Sequence, residues 1–188
     1  MNIVIENLNK SYNDKCVINN LSAEFRDGQF NYIMGESGGG KTTLLNIIMG
    51  LEKLDSGKIE GVRNRKISAV FQEDRLCEEF NSVVNVRLVT DKDSKTIINA
   101  LKAVGLANDL NKPVANLSGG MRRRVAIVRA MLADFEIVIL DEPLKGLDED
   151  TRNNVIDYIK LNTKGKLVIM VTHDQDETSF SKGNILRM

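Results

Sequence analysis

The segment GESGGGKT, residues 35–42, is half glycine and stands between two stretches of different periodicity. Before it runs the apolar Phe30–Met34; after it Leu44, Ile47, Ile48 and Leu51 recur at helical spacing. A strand must therefore end, the backbone must turn through conformations open to glycine, and a helix must begin, all within one loop. The spacing fits G-x-x-x-x-G-K-[ST]. In that pattern the glycines let backbone amides curl around a phosphate, the lysine reaches the β- and γ-phosphates, and the hydroxyl ligates Mg²⁺. Gly35, Glu36, Ser37, Gly38, Gly39, Gly40, Lys41, Thr42 and Thr43 are the expected phosphate-binding residues, with Thr42 on the metal. A flexible glycine-rich turn is the alternative, and the strand-to-helix position argues against it.

Short apolar or alternating runs predict further strands near 3–5, 17–25, 67–71, 137–140 and Leu167–Val171, with a last one in NILRM at 184–188. The first two, joined by the turn YNDK, read as an antiparallel edge. Met121, Val125, Val128, Met131 and Leu132 predict a helix after LSGG, with Ser118 as its N-cap, and another is expected from about 149 to 161. Strands alternating with helices imply an α/β fold with a mainly parallel sheet. Residues 74–112 show no long strand and read as a short helical insertion.

The core strands share a property at their ends. NYIM runs into Gly35, ISAVF ends at Gln72, IVIL at Asp141–Glu142, and VIMVT at His173. Ligands of open parallel sheets bind beyond the carboxyl ends of the strands, so these groups are expected to meet at one crevice. Asp141 stands where a phosphate-loop enzyme places its second Mg²⁺ carboxylate, and Glu142 can polarise a water for in-line attack on the γ-phosphate. The plainer reading is an acidic pair favouring a helix N-terminus, as Glu149 and Asp150 do. His173, the only histidine, is placed for a γ-phosphate contact. Tyr12 is either packing or a platform for adenine.

Lys+Arg and Asp+Glu are equal at 26 each, so no global field favours nucleic acid or an anionic membrane. Cys16 and Cys77 form no metal-binding pair. No signal peptide or stretch long enough to span a bilayer is visible, and a cytoplasmic chain is expected.

Taken in order, Tyr12, GESGGGKTT, Gln72, LSGGMRRRVAIVRA, VILDEP, GLD at 146–148 and THD at 172–174 resemble the nucleotide-binding subunit of an ATP-binding-cassette (ABC) transporter over essentially the whole chain. The resemblance implies a phosphate-loop NTPase fold, ATP and Mg²⁺ as ligands, and ATP hydrolysis coupled to transport. It implies Tyr12 on adenine, Gln72 linking Mg²⁺ and the attacking water to a membrane partner, Glu142 as general base, and His173 on the γ-phosphate. It also implies that Ser118, Gly119 and Gly120 close over ATP held by a second copy, with Asp148 near the subunit contact. One cassette over 1–188 follows, with a catalytic core of about 1–73 and 134–188 and a helical subdomain of about 74–133.

The implied partners are a second copy on ATP binding, transmembrane permease subunits and, for an importer, a substrate-binding protein. Location is then peripheral, on the inner face of the membrane. FQEDRLCEEFNSVVNV and LSGGMRRRV look most like importers of the nitrate, sulfonate and taurine type, with lipoprotein release or efflux as the runner-up. A chromosome-maintenance ATPase would need a long coiled coil here, and a GTPase an Asn-Lys-x-Asp. Arg122, Arg123, Arg124 and Arg129 are expected on a solvated helix face rather than on nucleic acid. Leu76, Phe80, Val83 and Val84 read either as a groove for a permease helix or as core. Two departures stand out: Gly39, where the family commonly has Ser or Cys, and Lys145, where a small residue is common. No further domain is expected beyond the last strand.

Overall fold

The computed structural model describes residues 1–13 and 15–188, so the expected turn at 12–15 lies partly outside the described residues. The contacts divide the chain into two units: Met1–Ile67, Glu136–Asp141 and Gly165–Met188 form the first, and Ser68–Phe135 with Glu142–Lys164 the second.

The first unit holds two sheets. In the antiparallel one, β1 (Ile3–Tyr12) lies between β2 (Lys15–Phe25) and β4 (Ser56–Glu60), in the order β2-β1-β4. β1 is much longer than the apolar run at 3–5 suggests. Its buried side chains are Ile3 and Ile5, then Leu8 and Lys10, so the alternation slips by one residue. The slip coincides with a register shift between Ile5 and Leu8, and Asn7 takes a left-handed φ of 49° there. This is a bulge that resets the buried face, with asparagine tolerating the turn. β4, SGKIE, shows almost no apolar pattern and is a strand because β1 offers it a free edge.

The parallel sheet of this unit runs β6-β7-β3-β8, with β3 at Phe30–Met34, β6 at Ile137–Asp141, β7 at Leu167–Val171 and β8 at Gly183–Arg187. Every residue of β3, β6 and β7 is buried, the continuous apolar pattern of parallel strands rather than an alternating one. α1 (Lys41–Ile48) follows β3 and buries Leu44, Leu45, Ile47 and Ile48. The chain enters the second unit through β5 (Ile67–Val70).

The second unit is helical: α2 (Ser82–Arg87), α3 (Ser94–Ala103), α4 (Gly119–Leu132) and α5 (Glu149–Asn162). Each helix starts on a side-chain cap. Asn81, Asp93, Ser118 and Asp148 accept from the backbone N–H of Val84, Thr96, Met121 and Thr151 at 2.9, 2.7, 3.3 and 3.0 Å. Such caps stabilise a helix by about 1 kcal/mol each. α4 packs against α2, α3 and α5 through a core that includes Val86, Leu101, Val125, Val128 and Ile156.

Candidate functional site

The phosphate loop leaves β3 at Met34 and enters α1 at Lys41. Gly40 caps the helix at φ 84°, and a Cβ there would come within 2.9 Å of the Val17 carbonyl oxygen on β2. Gly35 has φ 158°, and a Cβ there would run into the Met188 carbonyl oxygen. Both positions need glycine, for backbone angle and for space. Gly39 donates its N–H to the Glu36 carbonyl at 3.2 Å, which closes the turn. Lys41 is 7 % exposed, and its ammonium folds back over the loop to the carbonyls of Gly35 and Glu36 at 2.9 and 2.7 Å. Residues 34–39 of the loop bound a cavity of about 520 Å³ with Arg187 and Met188. First-turn amides, a lysine and a cavity together suit an anion. Arg187, at the end of β8, adds a cation that no local motif announces.

Asp141 and Ile33 both lie in register with Val171, so β6, β7 and β3 end at one edge of the sheet. The Thr172 N–H donates to the Ile33 carbonyl at 3.2 Å, carrying the ladder one residue further. The structure therefore brings Gly35, Asp141 and His173 to the same edge, as the strand ends predict. Asp141 is 7 % exposed, and His173 is exposed beside Thr172, whose hydroxyl accepts from the Asp174 N–H at 3.0 Å. Tyr12 ends β1 and is 42 % exposed. The Lys10 ammonium lies 5.0 Å from that ring's centroid, and hydrogen bonding to Glu52 holds it above the usual lysine range.

In the second unit Gln72 is exposed just past β5. Its carbonyl and that of Phe71 each accept from the Arg123 guanidinium at 2.5 Å, and Asp74 lies 3.2 Å from the same group. Burial pushes the Asp74 carboxyl up despite Arg123. Arg129 donates to the carbonyls of Asp74 and Arg75 at 2.9 and 2.8 Å, and Arg124 to those of Val104 and Gly105 at 2.8 and 3.2 Å. The solvated face expected for Arg123, Arg124 and Arg129 is therefore wrong. Arg123 is only 7 % exposed, and Arg122, Arg124 and Arg129 are half-buried. The loops at 71–75 and 104–105 present carbonyls that a forked guanidinium can satisfy two at a time.

Ser118 caps α4 as expected, while Gly119 is exposed and a Cβ added there would touch nothing within 4 Å. A Cβ at Gly120 would lie 3.2 Å from the Gly146 carbonyl oxygen. Asp148 is exposed and caps α5, and the Thr151 N–H holds its carboxyl below the ordinary range. Glu142 has a left-handed φ of 48° immediately before Pro143, a conformation costing on the order of 1–3 kcal/mol. Oε2 of Glu142 lies 2.9 Å from the Lys145 ammonium. Leu76 and Val83 are half-buried, whereas Phe80 and Val84 are 46 % and 38 % exposed, beside Leu88 and Val89 at 57 % and 42 %. These side chains are surface as much as core.

Thr42 is exposed at the start of α1 and Asp141 ends β6, which supplies one hydroxyl and one carboxylate to a hard cation. Among the described residues no three of His, Cys, Asp and Glu cluster to hold a metal by themselves. The donors fit Mg²⁺, which keeps waters and takes phosphate oxygens with one or two carboxylates.

Comparison with known proteins matches residues 18–145 to the family described as ABC transporter. The chain is 38% identical to the spermidine/putrescine import ATP-binding protein of Acetivibrio thermocellus, covering 94% of this chain and 56% of that protein. It is 36% identical to the aliphatic sulfonates import ATP-binding protein SsuB 3 of Rhodococcus jostii, covering 93% and 66%. Against the sulfate/thiosulfate import ATP-binding protein of Neisseria meningitidis identity is 35%, over 94% and 56%. The chain thus spans a little over half to about two thirds of the length of these relatives. Among solved structures, the ATP-binding cassette MJ0796 in a dimeric post-hydrolysis state with ADP and Pi superposes with a TM-score of 0.86 at 28% identity, over 99% of this chain and 94% of that one. The matched stretch contains the phosphate loop, the LSGG helix start and the Asp141–Glu142 strand end, and the chain belongs to the ABC transporter family.

Proposed function

We propose that this chain binds ATP and hydrolyses it to drive an importer of a small solute. The supporting observation is the meeting of the phosphate loop, Asp141 and His173 at the ends of three adjacent parallel strands. In this reading Tyr12 stacks on adenine. The amides of 35–43 and the Lys41 ammonium bind the β- and γ-phosphates, and Thr42, Gln72 and Asp141 hold Mg²⁺. The ion, when bound, neutralises charge on the transferring phosphoryl group. Glu142 takes the proton of the attacking water, and His173 contacts a γ-phosphate oxygen. Each of these groups orients or deprotonates; none forms a covalent intermediate.

Ser118, Gly119 and Gly120 cap ATP bound to a second copy, with Asp148 at the contact. The dimeric state of the MJ0796 cassette supports that arrangement. Residues 1–73 and 134–188 then act as the catalytic core and 74–133 as the helical subdomain of one cassette. The exposed Phe80, Val84, Leu88 and Val89 suit an apolar segment of a permease subunit, which would keep the chain peripheral on the inner membrane face. No described helix is long and apolar enough to cross a membrane. The relatives' names include polyamines, sulfate and sulfonates. Within that range we favour the nitrate, sulfonate and taurine type, working with a substrate-binding protein and without nucleic acid.

The test is phosphate release from Mg²⁺–ATP by the purified chain, followed alongside nucleotide binding. Turnover that disappears in Glu142→Gln while ATP binding persists is the expected result. Absence of both binding and release in the wild-type chain would overturn the reading.

A further inference from the structure

Tyr12 is held by neighbours that the phosphate chemistry does not use. Lys10 is buried to 8 % exposure, although lysine is seldom buried without a partner. Its ammonium lies 3.0 Å from the Glu52 carboxylate and 3.2 Å from that of Asp55, just past α1. Asp55 also accepts the Ser11 N–H at 2.7 Å. Two carboxylates therefore fix both the cation and the backbone between Lys10 and Tyr12. The ring, 5.0 Å from the ammonium, keeps 42 % of the residue's surface open.

A cation near an aromatic ring is attracted by the negative π-face, so the ring's orientation is set before any ligand arrives. Ordering a side chain in advance removes that cost from binding. A cation also draws electron density from the ring, which favours stacking of an electron-rich purine on the open face. We propose that Lys10 is a positioning residue for the nucleotide base, fixing and polarising the Tyr12 ring as a preformed platform. The proposal rests on Tyr12 being the adenine platform. It concerns the base only, and the phosphate cradle is independent of it.

ADP and pyrophosphate share a diphosphate group and differ in the adenosine, so their affinities for the full-length chain separate the nucleoside contribution from that of the phosphates. Calorimetric titration of each ligand is carried out on wild type, Lys10→Met, Lys10→Arg and Tyr12→Ala. Lys10→Met is expected to weaken ADP about 3–10-fold while pyrophosphate stays within about twofold, and Lys10→Arg is expected to retain ADP binding. Equal weakening of both ligands would make Lys10 merely structural and overturn the proposal. Unchanged ADP affinity in Lys10→Met, with Tyr12→Ala impaired, would overturn it while leaving the platform standing. Unchanged ADP affinity in Tyr12→Ala would remove the platform itself. If Lys10→Met does not fold, Glu52→Gln releases one anchor of the ammonium while keeping its charge. It is expected to weaken ADP about twofold or more, and unchanged ADP binding there overturns the proposal.

Discussion

The Lys145 ammonium lies 2.9 Å from Oε2 of Glu142, three residues before it in the chain. A cation held against a carboxylate favours its charged form, so the pair opposes uptake of a proton from water. Lys145 is 63 % exposed, and exposed pairs of this kind contribute ~0.2–1 kcal/mol, equivalent to at most about fivefold in rate. Lys145→Met is therefore expected to raise ATP turnover by up to about fivefold with KM nearly unchanged, read by steady-state phosphate release. A fall in turnover would show that the pair holds Glu142 in its working position.

Glu142→Gln keeps the shape of the side chain but removes its ability to accept a proton. Hydrolysis should fall at least ~10²-fold with ATP affinity retained. ATP should then hold a dimer long enough to elute as one in size-exclusion chromatography. Turnover within about threefold of wild type would take Glu142 out of the base role.

Lys41→Ala should behave oppositely, because its buried ammonium is already held on the loop, 2.9 and 2.7 Å from two of its carbonyls. Charged hydrogen bonds contribute ~1.5–3 kcal/mol, so ATP affinity should drop on the order of 10–100-fold in a fluorescence titration. Equal ATP affinity in Lys41→Ala and Glu142→Gln would refute this division of binding from chemistry.

Mixing tests whether the site is shared between copies. Lys41→Ala disables a chain's own cradle, and Ser118→Arg blocks the cap it offers its partner. In the mixed dimer both lesions fall at one site, so combining the two inactive proteins should restore part of the ATPase activity. If crosslinking shows mixed dimers without activity, both chains are given Glu142→Gln and nucleotide trapping is measured. Failure to trap one nucleotide per mixed dimer would sink the shared site.

Arg123→Met removes the donor to the Phe71 and Gln72 carbonyls and leaves Asp74 without its 3.2 Å partner. Stranded buried polar groups cost ~1–3 kcal/mol each, so the urea midpoint should fall by an amount equivalent to roughly 2–4 kcal/mol. A loss below about 0.5 kcal/mol, as at an ordinary surface position, would restore the solvated-face reading.

Much of the site was legible because its signals are local. A buried parallel strand is a short apolar run, and the first polar residue after it stands at the sheet edge, so Gly35, Asp141 and His173 could be placed from IM, IVIL and VIMVT alone. Ser118 was legible as a cap because a cap needs only its own side chain and an N–H three residues on, a signal that Asp148 before α5 also carries. The length of β1 was not, since Asn7 shifts the alternation that reveals a strand and only pairing with β2 and β4 shows it continuing. The arginines of α4 were misread for a similar reason. Their residue type permits solvent or carbonyl partners equally, and the choice falls to carbonyls at 71–75 and 104–105, which no ladder satisfies once the chain has folded. The pairing of Lys10 with Glu52 and Asp55, and the placing of Arg187 beside the phosphate loop, bring together distant stretches of chain. The sequence by itself determined which groups stand at strand ends and helix starts, because backbone periodicity and capping act over a few residues. The tertiary structure alone decided which partner each long charged side chain takes, because that depends on which polar atoms distant segments leave unpaired.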